Sequence, residues 1–456
     1  MNPLAIVVLA AGKGTRMKSD LVKVLHPIAG APMLSFTLDL ARGFHPQQLI
    51  VVVGFQRDLV RQKFTAEDIR FVDQVEQLGT GHAVATTGPI LSAFQGTVLI
   101  LCADVPLLSA ETLGKFLQTH QRERASLSVL TTKLPNPRGY GRIFRDPNGL
   151  LLRIVEEKDL RPGEEGRQEI NTGIYAVEAD FLFPALASLN DRNAQKEYYL
   201  TDIVAQASSA GKKTMAYLAE DPNEVMGINT RLDLARVTQV LRRRIAESHM
   251  LAGVTLIDPQ STFIDPEVQI GKDTVIHPNA YLLGKTSLGE NCVVEPGCKL
   301  TDTCAGNYVT IKAFSVIAQS TIEDRVDVGP FAHLRPGTIL REGSRIGNFV
   351  EVKKSEIGKG TKANHLSYIG DATVGEKVNI GAGTITCNYD GQKKHPTIIE
   401  DEVFVGSNTE LVAPIKIGRG ALIGAGSTIT KEVPPETLAV SRARQVHYPK
   451  KPRPKE

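Results

Sequence analysis

The sequence predicts an α/β chain made of two unlike halves, an open sheet flanked by helices and then a parallel β-helix. Three observations carry that expectation. From about residue 270 one aliphatic side chain returns every sixth position, and the first half has no such period. The first half instead alternates short apolar runs with helical or loop stretches. Between them, residues 229–251 switch to a helical pattern. A chain of 456 residues is long for one core, so two or three domains are expected. The boundaries read from the pattern are 1–228 for the sheet domain, 229–251 for a linker helix, 252–433 for the β-helix and 434–456 for a basic tail.

Composition narrows the class. Hydrophobic residues make up 42% and charged residues 23%, ordinary values for a globular chain. The net charge of +3 is small for this length and singles out neither nucleic acid nor a membrane surface. No apolar run approaches the ~18 residues that span a bilayer. Leu4–Ala11 lacks a basic flank and runs into a Gly-rich loop, so it reads as a strand rather than a signal peptide, and the expected location is the cytoplasm. The five cysteines include no CxxC pair and are expected to be reduced, structural thiols. Cys292, Cys298 and Cys304 are six apart, which suggests a stack on successive coils.

In the first half, residues 5–9 form an apolar run expected as a buried parallel strand. The loop Gly12-Lys13-Gly14-Thr15-Arg16-Met17 follows, with Lys23 further on. Small residues let backbone N–H groups approach phosphate oxygens, though the loop alone also fits a basic strand-to-helix turn. It matches neither GxxxxGK[ST] nor GxGxxG, which would need Gly in place of Met17. Further strands are expected at Leu49–Val53, Val98–Leu101 and Ser128–Thr131, in an open sheet whose ligands lie at the carboxyl ends of strands. Asp104 stands just past one of these ends, where a carboxylate would meet a metal–phosphate or simply serve the turn before Pro106.

In the linker, Leu234, Val237, Leu241 and Ile245 share one helical face. Some twenty residues would span ~30 Å, enough to hold the halves apart. Arg236 and Arg242–Arg244 read as a solvated face, since no aromatic residues are interleaved as nucleic-acid binding would favour. Beyond it, Ile270 to Leu300, Ile322 to Val352 and Ile399 to Ile429 are unbroken series of period six, often with Gly directly after the aliphatic. About nine three-sided coils fit between Ile270 and Ile429. Breaks fall near Ala305–Thr310, Ser355–Ile357 and Thr386–Lys394, and Pro434-Pro435 reads as the end of the last coil. His365 lies two residues after Ala363 takes the inward position, and an isolated histidine is more often structural than catalytic.

Several motifs then agree in order. LAAGKGTRM (Leu9–Met17), Lys23, QLGTGHA (Gln77–Ala83), ADVPLL (Ala103–Leu108), YGRI (Tyr140–Ile143), VEEKD (Val155–Asp159) and EINTGIY (Glu169–Tyr175) resemble the sugar-1-phosphate nucleotidyltransferase family. With the repeats behind them, residues from about 4 to 445 are similar to the bacterial bifunctional N-acetylglucosamine-1-phosphate uridylyltransferases/glucosamine-1-phosphate acetyltransferases.

The resemblance implies a Rossmann-like nucleotidyltransferase domain, a left-handed β-helix and a homotrimer. It implies that acetyl-CoA acetylates glucosamine 1-phosphate and that UTP then converts the product to UDP-N-acetylglucosamine, a precursor of peptidoglycan and lipopolysaccharide. Uridine nucleotide contacts are implied for Leu9, Ala10, Ala11, Gly12, Lys23, Gln74, Gly79 and Thr80, and sugar contacts for Gly141, Glu156 and Asn171. Mg²⁺ is implied at Asp104 and Asn229, with Arg16 and Lys23 as the catalytic cations. His365 matches the proton acceptor, and Arg335, Lys353, Tyr368 and Asn379 match phosphate and sugar contacts. Ala382, Asn388, Tyr389, Ser407, Ala425 and Arg442 match positions for acetyl-CoA and its acceptor. One departure stands out: Cys102-Ala103-Asp104 replaces a usual Tyr-Gly-Asp, and the Ala103 methyl is expected where backbone meets ligand. The tail residues Arg442, Arg444, Lys450, Lys451, Arg453 and Lys455, against Glu436 and Glu456, form either a solubility tail or a strap over the phosphates of coenzyme A. Two other readings are a nucleotidyltransferase with a non-catalytic oligomerising repeat, and a non-enzymatic regulatory subunit of the exchange-factor kind.

Overall fold

The computed structural model describes residues 3–451. The chain divides into two compact units between Leu241 and Arg242, inside the helix Arg231–Leu251.

The first unit rests on a nine-stranded sheet. Leu4–Ala10, Gln48–Val53 and Thr97–Cys102 are nearly continuous apolar runs, the composition that strands covered on both faces require. Alternation divides them between two cores: Ile6 and Val8 pack on one side, Ala5 and Val7 on the other. Leu4–Ala10 pairs in parallel with both Gln48–Val53 and Thr97–Cys102, and Ile69–Asp73 extends one edge. The sheet is not wholly parallel. Glu169–Glu178, read from sequence only as a motif, runs antiparallel between Thr97–Cys102 and Leu127–Lys133. No described helix is long and apolar enough to cross a membrane.

The helix Arg231–Leu251 opens with a capping box. The Asp233 N–H donates to Thr230 Oγ1 at 3.1 Å and the Thr230 N–H donates to Asp233 Oδ2 at 2.8 Å. Its first half packs Val237, with Leu234 and Leu241 at the margin, on Met17, Ile28 and Met33. Its second half contributes Ala246 and Ile245 to the core of the second unit. The apolar face read from sequence is therefore shared between two cores.

The second unit is a three-sided prism of parallel sheets with eleven, ten and nine strands. Each side advances one strand per coil, so Ile276 pairs with Val294 and Val294 with Ile311. The inward aliphatics are buried along every side, for example Val328, Leu334 and Leu340 at 0% exposure. Nine coils lie between Ile270 and Ile429, and one begins earlier, at Thr255–Leu256. Besides the expected breaks, five-residue steps occur from Ile317 to Ile322 and from Ile369 to Val374; each inward position is kept while one corner residue is lost. The long break puts Asn388 to Lys394 into an excursion before the next strand, Thr397–Ile399.

Two expectations need correction. Six residues advance one side, not one coil, so Cys292, Cys298 and Cys304 do not stack on one another. They precede or begin strands of three different sheets in the same turn. Nor does Pro434-Pro435 end the prism: Val433 bridges Ile417, and Leu438–Ala439 pairs with Leu422–Ile423 as a further strand. Of the expected basic tail, Arg453, Lys455 and Glu456 lie outside the described residues.

The first coil is closed by a stack. The rings of Phe263 and Tyr281 lie 4.5 Å apart, and the Arg242 guanidinium sits 3.5 Å over Phe263 while donating to the Gln260 and Thr262 carbonyls. Stability of the prism itself comes from the inward stack. Leu334→Ala should lower it by about 2–5 kcal/mol, since the coils above and below fix the backbone and prevent collapse into the void. Chemical denaturation followed by circular dichroism checks this; a loss under about 1 kcal/mol would contradict rigid stacking.

Candidate active sites

In the first unit, the functional side chains gather where neighbouring parallel strands end. Leu9 pairs with Cys102, which sets the loop after one strand beside Asp104 after the other. Gly14 has a φ of +65°, and a Cβ there would fall 2.7 Å from the Lys23 Cβ. The loop can therefore close over the Lys23 stem, whose ammonium is ion-paired with Asp104 in a largely buried setting. Arg16 donates to Asn229 Oδ1 at 2.9 Å. The linker-helix cap holds Asn229 there, because Asp233 Oδ2 also accepts from the Asn229 N–H at 3.1 Å. Each candidate metal ligand is thus engaged by one of the two candidate catalytic cations.

A cavity of about 550 Å³ is lined by Leu9, Ala10, Ala11, Gly12, Lys23, Gln74, Gly79, Thr80 and Asp104. Gln74 is buried and donates to the Gly79 carbonyl at 3.0 Å, so its amide is oriented in advance. Lys13, Gln77 and Cys102, read from sequence only as parts of motifs, also line the cavity, as does Glu197, which the sequence did not single out. Gly141, Glu156 and Asn171 form a second group: the Asn171 N–H donates to the Gly141 carbonyl at 2.9 Å, and a Cβ on Gly141 would lie 3.4 Å from Glu156 Oε2. Burial pushes the Glu156 carboxyl above its ordinary range, reinforced by Asp159, Asp202 and Glu197 and opposed by a hydrogen bond from Thr201. Tyr140, whose hydroxyl is raised chiefly by burial, lies near Asp104, Asp233 and Arg16.

The Ala103 methyl does not face the ligand space. Ala103 is 1% exposed and belongs to the apolar core, so strand alternation presents Cys102 to the cavity instead. A larger cavity, about 820 Å³, opens at the other end of the same strand and contains none of the sequence-predicted residues. Its buried His120 is satisfied between Ser128 Oγ at 2.8 Å and Glu178 Oε1 at 3.0 Å.

In the second unit, His365 ends the strand Lys362–His365 and is exposed at a corner. Asn348, its partner one coil earlier, places Oδ1 2.9 Å from His365 Nδ1. An amide oxygen only accepts, so this contact assigns the proton to Nδ1 and leaves the Nε2 lone pair free. Nothing in the sequence marked Asn348, since its spacing of 17 from His365 is not a multiple of six. Ala382, Ser407, Ala425 and Arg442 continue the same corner; the Asn408 N–H donates to the Ala382 carbonyl, the Gly426 N–H to that of Ser407, and Arg442 to that of Ala425 at 2.7 Å. Four coil steps separate His365 from Arg442, roughly 19 Å at ~4.8 Å per strand.

The adjoining side of the prism carries Tyr368, and beyond it Arg335 and Lys353. Lys353 is held below its usual range, first by the neighbouring Lys394 and then by desolvation. Lys394 comes from the excursion and also lies 4.0 Å from Asp371; the sequence reading did not single it out. Asn388 donates to Asp371 at 2.6 Å and approaches the Tyr368 hydroxyl at 3.4 Å, so it joins this group rather than the corner row. Tyr389 is exposed within the excursion, and Asn379 pairs with Lys362 one coil past His365. Two ammonium groups crowded beside a guanidinium make a site suited to an anion.

The chain is similar to known proteins over almost its whole length. Residues 6–161 match the MobA-like NTP transferase domain, residues 267–302 the bacterial transferase hexapeptide (six repeats), and residues 396–431 the hexapeptide repeat of succinyl-transferase. The bifunctional protein GlmU of Geotalea uraniireducens is 54% identical, with 98% of each chain covered. Those of Pelobacter propionicus and Brevibacillus brevis are 53% and 48% identical, covering 98% of this chain and 97% and 96% of theirs.

The Glu156 carboxyl has a defined pH signature. The folded state binds its proton more tightly than the unfolded state does, so its burial costs nothing below the ordinary carboxylate range and the full penalty above the raised value. Glu156→Gln should therefore melt above the parent at about pH 8, with the gap closing toward about pH 4. A gap that is constant across that range in thermal melts would remove burial as the cause.

Proposed function

Since the chain belongs to the GlmU family of bifunctional proteins, we infer that it performs two transfers, each in its own unit. The second unit, a left-handed parallel β-helix, acetylates the amine of glucosamine 1-phosphate from acetyl-CoA. The first joins the resulting N-acetylglucosamine 1-phosphate to UMP from UTP and releases pyrophosphate. The product is UDP-N-acetylglucosamine, and the reading places the enzyme in the cytoplasm, in keeping with five unpaired cysteines.

The observation that carries the residue assignments is the corner row. His365 presents a free Nε2 at one end, Arg442 a guanidinium at the other, and the spacing suits an extended thioester whose phosphates lie far from its acyl group. The glucosamine amine attacks the acetyl carbonyl, His365 Nε2 takes the amine proton, and the thiolate of coenzyme A departs. Asn348 keeps the ring in the tautomer this requires. Arg335 and Lys353, joined by Lys394, hold the sugar phosphate, with Tyr368, Asn379 and Asn388 around the sugar. Ala382, Ser407 and Ala425 line the thioester path, where small side chains leave room for it, and Tyr389 of the excursion flanks it.

Uridylyl transfer demands alignment more than covalent help. A sugar-phosphate oxygen attacks the α-phosphorus of UTP in line. Family membership implies a divalent metal, and Mg²⁺ at Asp104 and Asn229 is the finer reading. The donors fit it: both offer hard oxygens. When bound, the metal neutralises phosphate charge. Lys23 and Arg16, which pair with these same oxygens, would then be available to the phosphates. Leu9 to Gly12, Gln74, Gly79 and Thr80 hold the nucleotide, and Gly141, Glu156 and Asn171 the sugar.

A homotrimer completes the reading. Phe314, Phe331 and Phe349 stack at 5.3 Å on successive coils with about half of each exposed, and Leu366 continues the row beside His365. A second copy of the prism is the cover we assign to this stripe.

Two assays on one preparation test the assignment. A chelator should abolish pyrophosphate release from UTP and spare thiol release from acetyl-CoA. His365→Ala should do the reverse, lowering acetyl transfer by about 100-fold or more. Loss of both activities in that variant would refute two separate sites. Independently, Phe331→Asp should shift the species seen by light scattering from trimer to monomer; an unchanged mass would rule the stripe out as the contact.

A further inference from the structure

The strand Glu169–Glu178 loses register with Leu127–Lys133 between Asn171 and Tyr175. Such a bulge re-aims side chains next to a site. Gly173 stands in it with a φ of +81°, and a Cβ there would meet Cys102 Sγ at 2.7 Å. Only glycine therefore lets the bulge close onto this thiol. The thiol donates to the Gly173 carbonyl at 3.4 Å. The N–H of the same glycine donates to Asn171 Oδ1 at 3.0 Å. On its other side the bulge is tied down by Thr172, whose hydroxyl donates to the Leu130 carbonyl at 2.6 Å. Cys102 also lines the nucleotide cavity, so it stands between that cavity and the Asn171 group.

We propose that Cys102 is a positioning residue for the sugar acceptor: its thiol pins the Gly173 bulge and, through the Gly173 N–H, sets the orientation of the Asn171 amide. This deepens the assignment of the first unit as a uridylyltransferase and rests on it. Cys102 forms no bond in the reaction. Its side chain is wide enough to support the bulge and narrow enough to leave the cavity open. A methyl would leave the Gly173 carbonyl without the thiol as donor.

Steady-state kinetics of the full chain test the proposal. Cys102→Ala should raise KM for N-acetylglucosamine 1-phosphate about tenfold while KM for UTP stays within about twofold. Cys102→Ser, whose hydroxyl donates to the same carbonyl, should recover KM for the sugar phosphate to within about threefold of the parent. Acetyl transfer and the melting profile of each preparation report its folding. If Cys102→Ala does not fold, Cys102→Val, similar in size and without a donor, must show the same split. Equal rises in both KM values, no rise in either, or a serine variant no better than alanine would overturn the positioning role. A parent protein that releases no pyrophosphate from UTP and the sugar phosphate would instead strike the assignment of the unit.

Discussion

Parallel strand pairing sets equivalent points of distant segments side by side, and both candidate sites depend on it. In the first unit it aligns the carboxyl end of Leu4–Ala10 with that of Thr97–Cys102, so a glycine-rich loop and an aspartate some ninety residues apart in sequence share one rim. In the second it repeats at every coil, turning Asn348 and His365 into neighbours and drawing Ala382, Ser407, Ala425 and Arg442 into their line. Antiparallel hairpins would have scattered these groups to opposite ends of the strands.

Charge in the first site is arranged around the same rim. Lys23 is ion-paired with Asp104 in a largely buried place, whereas the exposed Arg16 guanidinium donates to the neutral amide oxygen of Asn229 and keeps its positive charge at the rim. The second site is built differently. Lys353, Lys394 and Arg335 outnumber the carboxylates beside them, Glu351 and Asp371, on one side of the prism, which suits a substrate that arrives as a bare phosphate ester.

Strand alternation explains the departure at Cys102-Ala103. Neighbouring residues at a strand end face opposite ways, so the added methyl of Ala103 is absorbed by the core and costs the ligand space nothing. The thiol takes the exposed side, against a bulge in the only antiparallel strand among the central members of the sheet. A change that reads from sequence as two substitutions at a binding loop is, in space, one in the core and one at the site.

By itself the sequence determined the architecture. A period of six with an inward aliphatic specifies a three-sided coil, and unbroken apolar runs before Gly-rich turns specify central parallel strands; both signals are local, carried by each side chain's own face. Lys23, Asp104 and His365 could be named as candidates because their motifs are contiguous in the chain. Tertiary structure alone decided which groups meet. The corner row has steps of 17, 17, 25, 18 and 17 residues, so no period marks it, and it exists only once the short steps and the excursion are absorbed into whole coils. Asn348 behind His365, Lys394 beside Lys353, Asn229 against Arg16 and Gly173 against Cys102 are all pairings of this kind. Hydrophobic patterning records which way a residue faces, whereas contact depends on the register between strands, and register is set by the packed whole.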